Sequence, residues 1–229
     1  MKKKILFLST LMICCVVAAS AQKSKAKKGE PIDSSKIEHI VLISTDFGDM
    51  KVKLYNATPK HRDNFLNLVA QGYYDSLLFH RVIQGFMIQG GDPLSKNAAP
   101  GVMLGSGDIG YTIPAEFVDT IFHKKGALCA ARTDNPEKAS SGCQFYIVQG
   151  QPITPEQMNM LEMQMGRKFT PKQRAIYSTL GGTPFLDQNY TVYGEVIEGL
   201  DVIDKIAAVK TAPGDRPLQD VKMKMKVIQ

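Results

Sequence analysis

The sequence predicts a mainly β protein: a closed antiparallel barrel capped by helices. Many short stretches alternate apolar and polar side chains, which is the period of a half-buried strand. Two core helices accompany them, and a third observation is that no internal repeat or second apolar core is present in the 229 residues. One domain over 37–229 therefore suffices.

From Glu38 to Tyr55, Ile40 and Leu42 and then Met50, Val52 and Leu54 alternate around the turn Thr45–Asp49, which reads as a β-hairpin. Thr58 and Pro59 supply an N-cap and a first helical residue, Phe65, Leu68 and Val69 an apolar stripe, and Gly72 a stop. Phe79–Asp92 reads as two short strands around Gln84-Gly85. Alternate strand residues share a face. Arg81 and Ile83 are thus expected on one side and His80 and Val82 on the other, and after the turn Met87 and Gln89 oppose Phe86 and Ile88. A cation and an amide beside an apolar wall suit an apolar substrate that carries a carbonyl. Gly90-Gly91 ends the second strand and lets another backbone approach.

Residues 93–111, rich in Gly, Pro, Ser and Asn, form an irregular loop. Gly126–Arg132 and Cys143–Val148 read as strands. Within 150–183, Thr154-Pro155-Glu156-Gln157 and Thr170-Pro171-Lys172-Gln173 each carry a capping-box signature, so a helical hairpin near 154–181 interrupts the β pattern. Its first helix holds Met158, Met160, Met163 and Met165; these pack on the barrel or present an adaptable surface to apolar clients. Tyr190–Val196 is a strand, Leu200–Val209 a short helix and Val221–Ile228 the closing strand.

Composition narrows the function classes. The chain is 44% hydrophobic and 22% charged, with a formal charge of +6. Eight of its 28 basic and two of its 22 acidic residues precede Ile37, leaving 20 of each in the domain. No basic face for nucleic acid is implied. Residues 1–21 combine a Lys-rich start, an apolar run from Ile5 to Ala19 and Ala19-Ser20-Ala21, the pattern of a cleaved secretory signal. The run is shorter than the ~20 residues of a spanning helix, so no stable membrane insertion is expected after cleavage. Cys14 and Cys15 suggest a lipoprotein, but no small residue precedes them and the apolar run before them is short. Lys-rich residues 22–36 read as a flexible linker. The protein is expected to be exported, periplasmic or secreted, and monomeric. Cys129 and Cys143 would lie on neighbouring strands in an oxidising compartment; a disulfide is permitted there, with two buried free thiols the preferred alternative. No metal-ligand spacing and no nucleophile–base–orienter set is apparent, so neither a metal, a cofactor nor a hydrolase is expected.

Phe79–Asp92 resembles the signature of the cyclophilins, a family of peptidyl-prolyl cis-trans isomerases. Leu128–Arg132, Gln144-Phe145-Tyr146-Ile147 and Phe185–Val196 resemble three further family segments in order and spacing. The resemblance implies an eight-stranded antiparallel barrel with two capping helices and a groove on its outer surface. It implies catalysis by Arg81, which stabilises a twisted X-Pro amide, with no cofactor. Phe86, Met87, Tyr146 and Leu186 are implied as the proline pocket with Tyr190 at its rim, Gln89 as holder of the substrate carbonyl, and Ala131 and Arg132 as main-chain contacts near Gln144. His80, on the strand face opposite Arg81, reads as a structural or groove-edge histidine and not as an acid or base. Phe185 is implied at the position of a tryptophan found in some cyclosporin-binding members, which predicts weak inhibition by that drug. Gln84, Tyr146 and Tyr190 also depart from the common proline, phenylalanine and histidine. The implied partners are proline-containing, unfolded or flexible polypeptides. A non-catalytic peptide-binding scaffold using the same groove is the competing class.

Overall fold

The β alternation first folds as a hairpin, β1 (His39–Thr45) on β2 (Gly48–Leu54), with Val41 facing Val52 and Ile43 facing Met50. All four are fully buried. On β2 the lysines Lys51 and Lys53 alternate outward, whereas on β1 the outward positions are the half-buried Ile40 and Leu42, which corrects their expected place on the inner face. This computed structural model describes residues 38–229; the expected signal and linker lie outside the described residues.

The remaining strands of the main sheet are β3 (Phe79–Ile83), β4 (Met87–Gly90), β6 (Ala127–Ala130), β8 (Phe145–Val148), β9 (Val192–Glu198) and β10 (Met223–Val227). They join in the order β10-β1-β2-β9-β6-β8-β4-β3, antiparallel throughout. A separate ribbon pairs β5 (Thr112–Ile113) with β7 (Ser140–Ser141).

The barrel is curled but not closed, which corrects the sequence expectation. Its edge strands β3 and β10 share no ladder. They meet only near the bridge Leu78–Lys222, where the Phe79 N–H donates to the Val221 carbonyl and the Met223 N–H to that of Leu77. Further along β3 the Val82 N–H instead donates to Asp215 in the loop before β10. That loop fills the seam where a closing ladder would run, and it protects the edge.

Helix α1 (Pro59–Ala70) packs on β9 and β10, and α4 (Leu200–Ala207) on β2, β3 and β4. Val202, Ile203, Ile206 and Ala207 form one buried stripe on α4. The N-terminus of α1 is satisfied differently from expectation. The Thr58 hydroxyl bonds to the Tyr55 carbonyl, and the Glu116 carboxylate accepts from the Lys60 and His61 N–H groups, placing an anion at the positive helix end. The interior holds an aromatic cluster in which Phe65, Tyr74 and Phe79 surround Phe145 edge-on.

The inserted hairpin is α2 (Pro155–Met165) and α3 (Pro171–Thr179), each with its complete capping box. It builds its own small core from Phe122, Met158, Phe169 and Tyr177. Two of the four methionines serve packing, Met158 buried and Met165 against the same core, while Met160 and Met163 are exposed. Among the described residues no helix is long and apolar enough to cross a membrane.

Candidate active site

Strand register builds the site. Across the outer face, Arg81 on β3 lies opposite Gln89 on β4, Gln89 opposite Tyr146 on β8, and Tyr146 opposite Cys129 on β6. Directly paired residues share a face of the sheet, so cation, amide and aromatic ring form one transverse row. Met87 stands one step along the same face, paired with Val148. The turn joining β3 and β4 is closed by the Phe86 N–H donating to the Ile83 carbonyl, with Gly85 at φ 78°. Phe86 belongs to that turn and not to β4, so strand alternation does not govern it. It sits beside Met87, correcting its expected placement on the opposite face.

A cavity of about 130 Å³ opens on this face, lined by Arg81, Phe86, Met87, Gln89, Ala131, Arg132, Tyr146, Leu186 and Tyr190. The structure thus brings together nine of the twelve implied site residues. Larger hollows exist, of about 300 Å³ beside Arg216 and about 570 Å³ beside α2. The chemistry of the smaller one is more telling. Arg216 has both terminal nitrogens engaged, Nη1 by the Ala99 and Val102 carbonyls and Nη2 by Asp220. Among the described residues Arg81 bonds only through Nε, to Asp215 Oδ2 at 3.2 Å, which leaves its terminal Nη groups open to a substrate.

The polar rim is oriented from behind. Gln144 donates to the Gly105 and Gly107 carbonyls, and its Oε1 accepts from Gln89 Nε2 at 3.0 Å. This fixes which end of the Gln89 amide faces the cavity and leaves one N–H for an incoming carbonyl. Arg132 donates to the Asn189 carbonyl and lies 4.7 Å over the Tyr190 ring. Ala131 has both main-chain groups engaged: its N–H donates to Gln144, and its carbonyl accepts from Ser141. Of the two expected main-chain contacts, Arg132 is therefore the one that offers unpaired backbone groups.

Tyr146 forms the floor, and its hydroxyl meets a buried partner. Nε2 of His123 lies 3.0 Å from it, and Nδ1 lies 2.9 Å from Asp187 Oδ1. The Asp187 carboxylate only accepts, so with a neutral ring Nδ1 carries the hydrogen and Tyr146 donates to Nε2. Burial holds the Tyr146 phenol well above its ordinary range, which keeps it a donor. Asp187 also accepts from the Tyr177 hydroxyl of α3 and pairs with Arg167 at 3.5 Å. The pocket floor is therefore tied to the inserted hairpin.

Three implied residues lie elsewhere. His80 is buried on the far face of β3, because it alternates with Arg81; desolvation lowers its pKa to about 4. Gln144 stands behind Gln89, and Phe185 stacks on the outside of Phe86 at 5.8 Å. The permitted disulfide is not formed. Cys129 and Cys143 are free and buried, Cys129 in the outer-face cluster and Cys143 in the interior core, so the sheet separates them. Sequence reasoning missed Asp215, His123 and the role of Asp187, all of which act from distant parts of the chain.

Residues 40–227 match the family described as cyclophilin type peptidyl-prolyl cis-trans isomerase/CLD. A Staphylococcus aureus protein provisionally named a peptidyl-prolyl cis-trans isomerase is 39% identical over 182 residues, covering 79% of this chain and 87% of its own. A Streptococcus pyogenes protein provisionally named a bifunctional phosphatase/peptidyl-prolyl cis-trans isomerase is 39% identical over 184 residues, covering 79% of this chain and 37% of its own. The crystal structure of a cyclophilin type isomerase from Cryptosporidium parvum shares the fold at a TM-score of 0.62 and 22% identity, covering 84% of this chain and 99% of that one. The chain belongs to the cyclophilin family and is a cyclophilin-type peptidyl-prolyl cis-trans isomerase.

Proposed function

We propose that the enzyme turns X-Pro bonds in exported, unfolded or flexible polypeptides and so assists their folding, with Arg81 stabilising the twisted amide. An X-Pro bond isomerises over tens to hundreds of seconds because rotation breaks amide resonance. At the barrier the proline nitrogen is pyramidal and carries a free lone pair. A guanidinium N–H donating to that nitrogen binds the twisted form better than either planar form, and only such differential binding raises the rate. The supporting observation is the facing pair Arg81 and Gln89 at the lip of a notch of about 130 Å³. An apolar cavity of about 150 Å³ accepts benzene, so a notch of this size accommodates a proline ring. Met87, Tyr146 and Leu186 wall the ring, Gln89 holds the carbonyl, and no covalent intermediate forms. Export rests on residues 1–21 and predicts a mature protein that begins at Gln22, which its intact mass would show.

A coupled proline-isomerisation assay on wild type and Arg81→Ala tests the mechanism. Loss of about 100-fold in kcat/KM with unchanged circular dichroism is expected, the size of removing one transition-state donor. A variant within threefold of wild type would sink the arginine role. Peptide binding without isomerisation by wild type would favour a scaffold.

A further inference from the structure

The inserted hairpin creates a second groove that the isomerase reading does not use. It encloses about 570 Å³ between α2, the Gly85 turn and Phe185. Phe86, Ile153, Met160, Leu161 and Phe185 give it apolar walls. Met160 and Phe185 are 56% and 48% exposed, so the apolar surface is open to solvent.

Two observations identify the occupant. The first is continuity. Phe86 lines both this groove and the arginine-edged notch, and the adjacent residues Phe185 and Leu186 on one 3-10 turn serve the groove and the notch respectively. The two hollows lie on either side of a stacked aromatic pair. The Phe86 and Phe185 rings are 5.8 Å apart and a chain advances ~3.3–3.6 Å per residue, so a polypeptide with its proline in the notch passes that pair and reaches the groove within about two to four residues. The second is Thr183, which lines the groove. It is 98% buried, and among the described residues its hydroxyl has no hydrogen-bond partner, not even as a cap of the turn that follows it. A buried hydroxyl left unpaired is costly; a side-chain rotation at the groove wall that Thr183 lines would turn it towards a peptide carbonyl.

We infer that the groove between α2 and Phe185 is a subsite for a bulky apolar side chain of the same client polypeptide, two to four residues from the proline on the side away from Arg132. This rests on the isomerase reading of the notch. It assigns the insertion a selective role: the enzyme prefers prolines flanked by apolar sequence, which unfolded chains expose. Methionine at the rim adapts to leucine, phenylalanine or methionine alike.

The test uses peptide pairs with leucine or serine at each of the second to fourth positions on either side of one proline. For wild type, kcat/KM for leucine over serine is expected to be about fivefold or more at one placement, carried by KM. Met160→Glu, an exposed site, should bring that ratio near one with the serine peptides turned over as before. Thr183→Val, which preserves shape, should raise KM for the preferred peptide severalfold. Ratios below twofold at every placement overturn the subsite alone, as does a preference that both variants retain. A concentration-dependent dimer that Met160→Glu abolishes would make the groove a self-interface and overturn it too. A protein inactive on every peptide overturns the isomerase reading, and the subsite with it.

Discussion

Replacing Tyr146 by phenylalanine separates the wall of the pocket from the network behind it. The ring stays, so the notch keeps its shape. The hydroxyl is lost, and His123 Nε2, 3.0 Å away and 99% buried, is left without a donor. Losing a buried partner costs about 1–3 kcal/mol; with both groups inside the protein and His123 held rigidly by Asp187, about 2 kcal/mol is expected. With an m-value of about 2 kcal/mol/M in urea, the midpoint falls by about 1 M. For a domain of this size Tm falls by about 4–8 °C. The measurement is urea unfolding followed by far-UV circular dichroism, paired with the coupled isomerisation assay. kcat/KM should stay within about twofold. A midpoint shift below about 0.3 M would refute the buried bond. A loss of activity as large as that of Arg81→Ala would refute the separation of wall from network.

Asp215→Ala removes the acceptor that orients Arg81 Nε. Both side chains are about two-fifths exposed, so stability should change by less than about 1 kcal/mol, while kcat falls about three- to tenfold with little change in KM; unchanged kcat would exclude a positioning role. Burial depresses His80 to about 4, below the ~6.5 of an unfolded chain. Above pH 6.5 both states are neutral and this group adds no pH dependence. As pH falls from about 6.5 towards 4 the unfolded state takes up the extra proton, so stability drops by up to ~1.4 kcal/mol per unit. His61, lowered chiefly by burial, acts in the same direction. His80→Gln should flatten that slope in urea titrations at pH 7, 6 and 5, and an unchanged slope would refute the assignment. Gly91→Ala forces a Cβ to 2.2 Å from the Cys143 carbonyl at φ 92°, which should cost about 3 kcal/mol or more; a near-native Tm would contradict it.

What was legible in the sequence was local. Alternation marks β2 and β10, and the two Thr-Pro-x-Gln signatures mark α2 and α3 because a capping box lies within four residues. In β1 four apolar residues run together, and the buried face is Val41 and Ile43, one step from the expected Ile40 and Leu42. The Gly90-Gly91 expectation of close backbone approach also follows from local rules. What was not legible depends on residues far apart. Barrel closure turns on whether Asp215 or a strand pairs with β3, across 134 residues from Arg81. The ribbon β5–β7 has two residues per strand, too few for a period to show. Strand alternation misplaces Phe86, because a turn sets its direction. The site itself came from a family resemblance, which supplied Leu186 and Tyr190 but not His123, whose partner Tyr146 is one of the departures from the family pattern.

The same register that fills the interior also aims the site. On β8, Phe145 points inward to the aromatic cluster and Tyr146 outward to the notch. A slip of one residue would exchange the two faces, burying the phenol without His123 and exposing Phe145. The interior therefore selects the alignment that sets Tyr146 opposite Gln89 and Gln89 opposite Arg81. Because Phe65, Tyr74 and Phe79 bear on Phe145 from α1 and the strand edges, the groove inherits its rigidity from a core it does not touch. The role proposed for Arg81, in which one guanidinium binds the twisted amide better than the planar one, needs that rigidity, since a row free to shift would bind both forms alike.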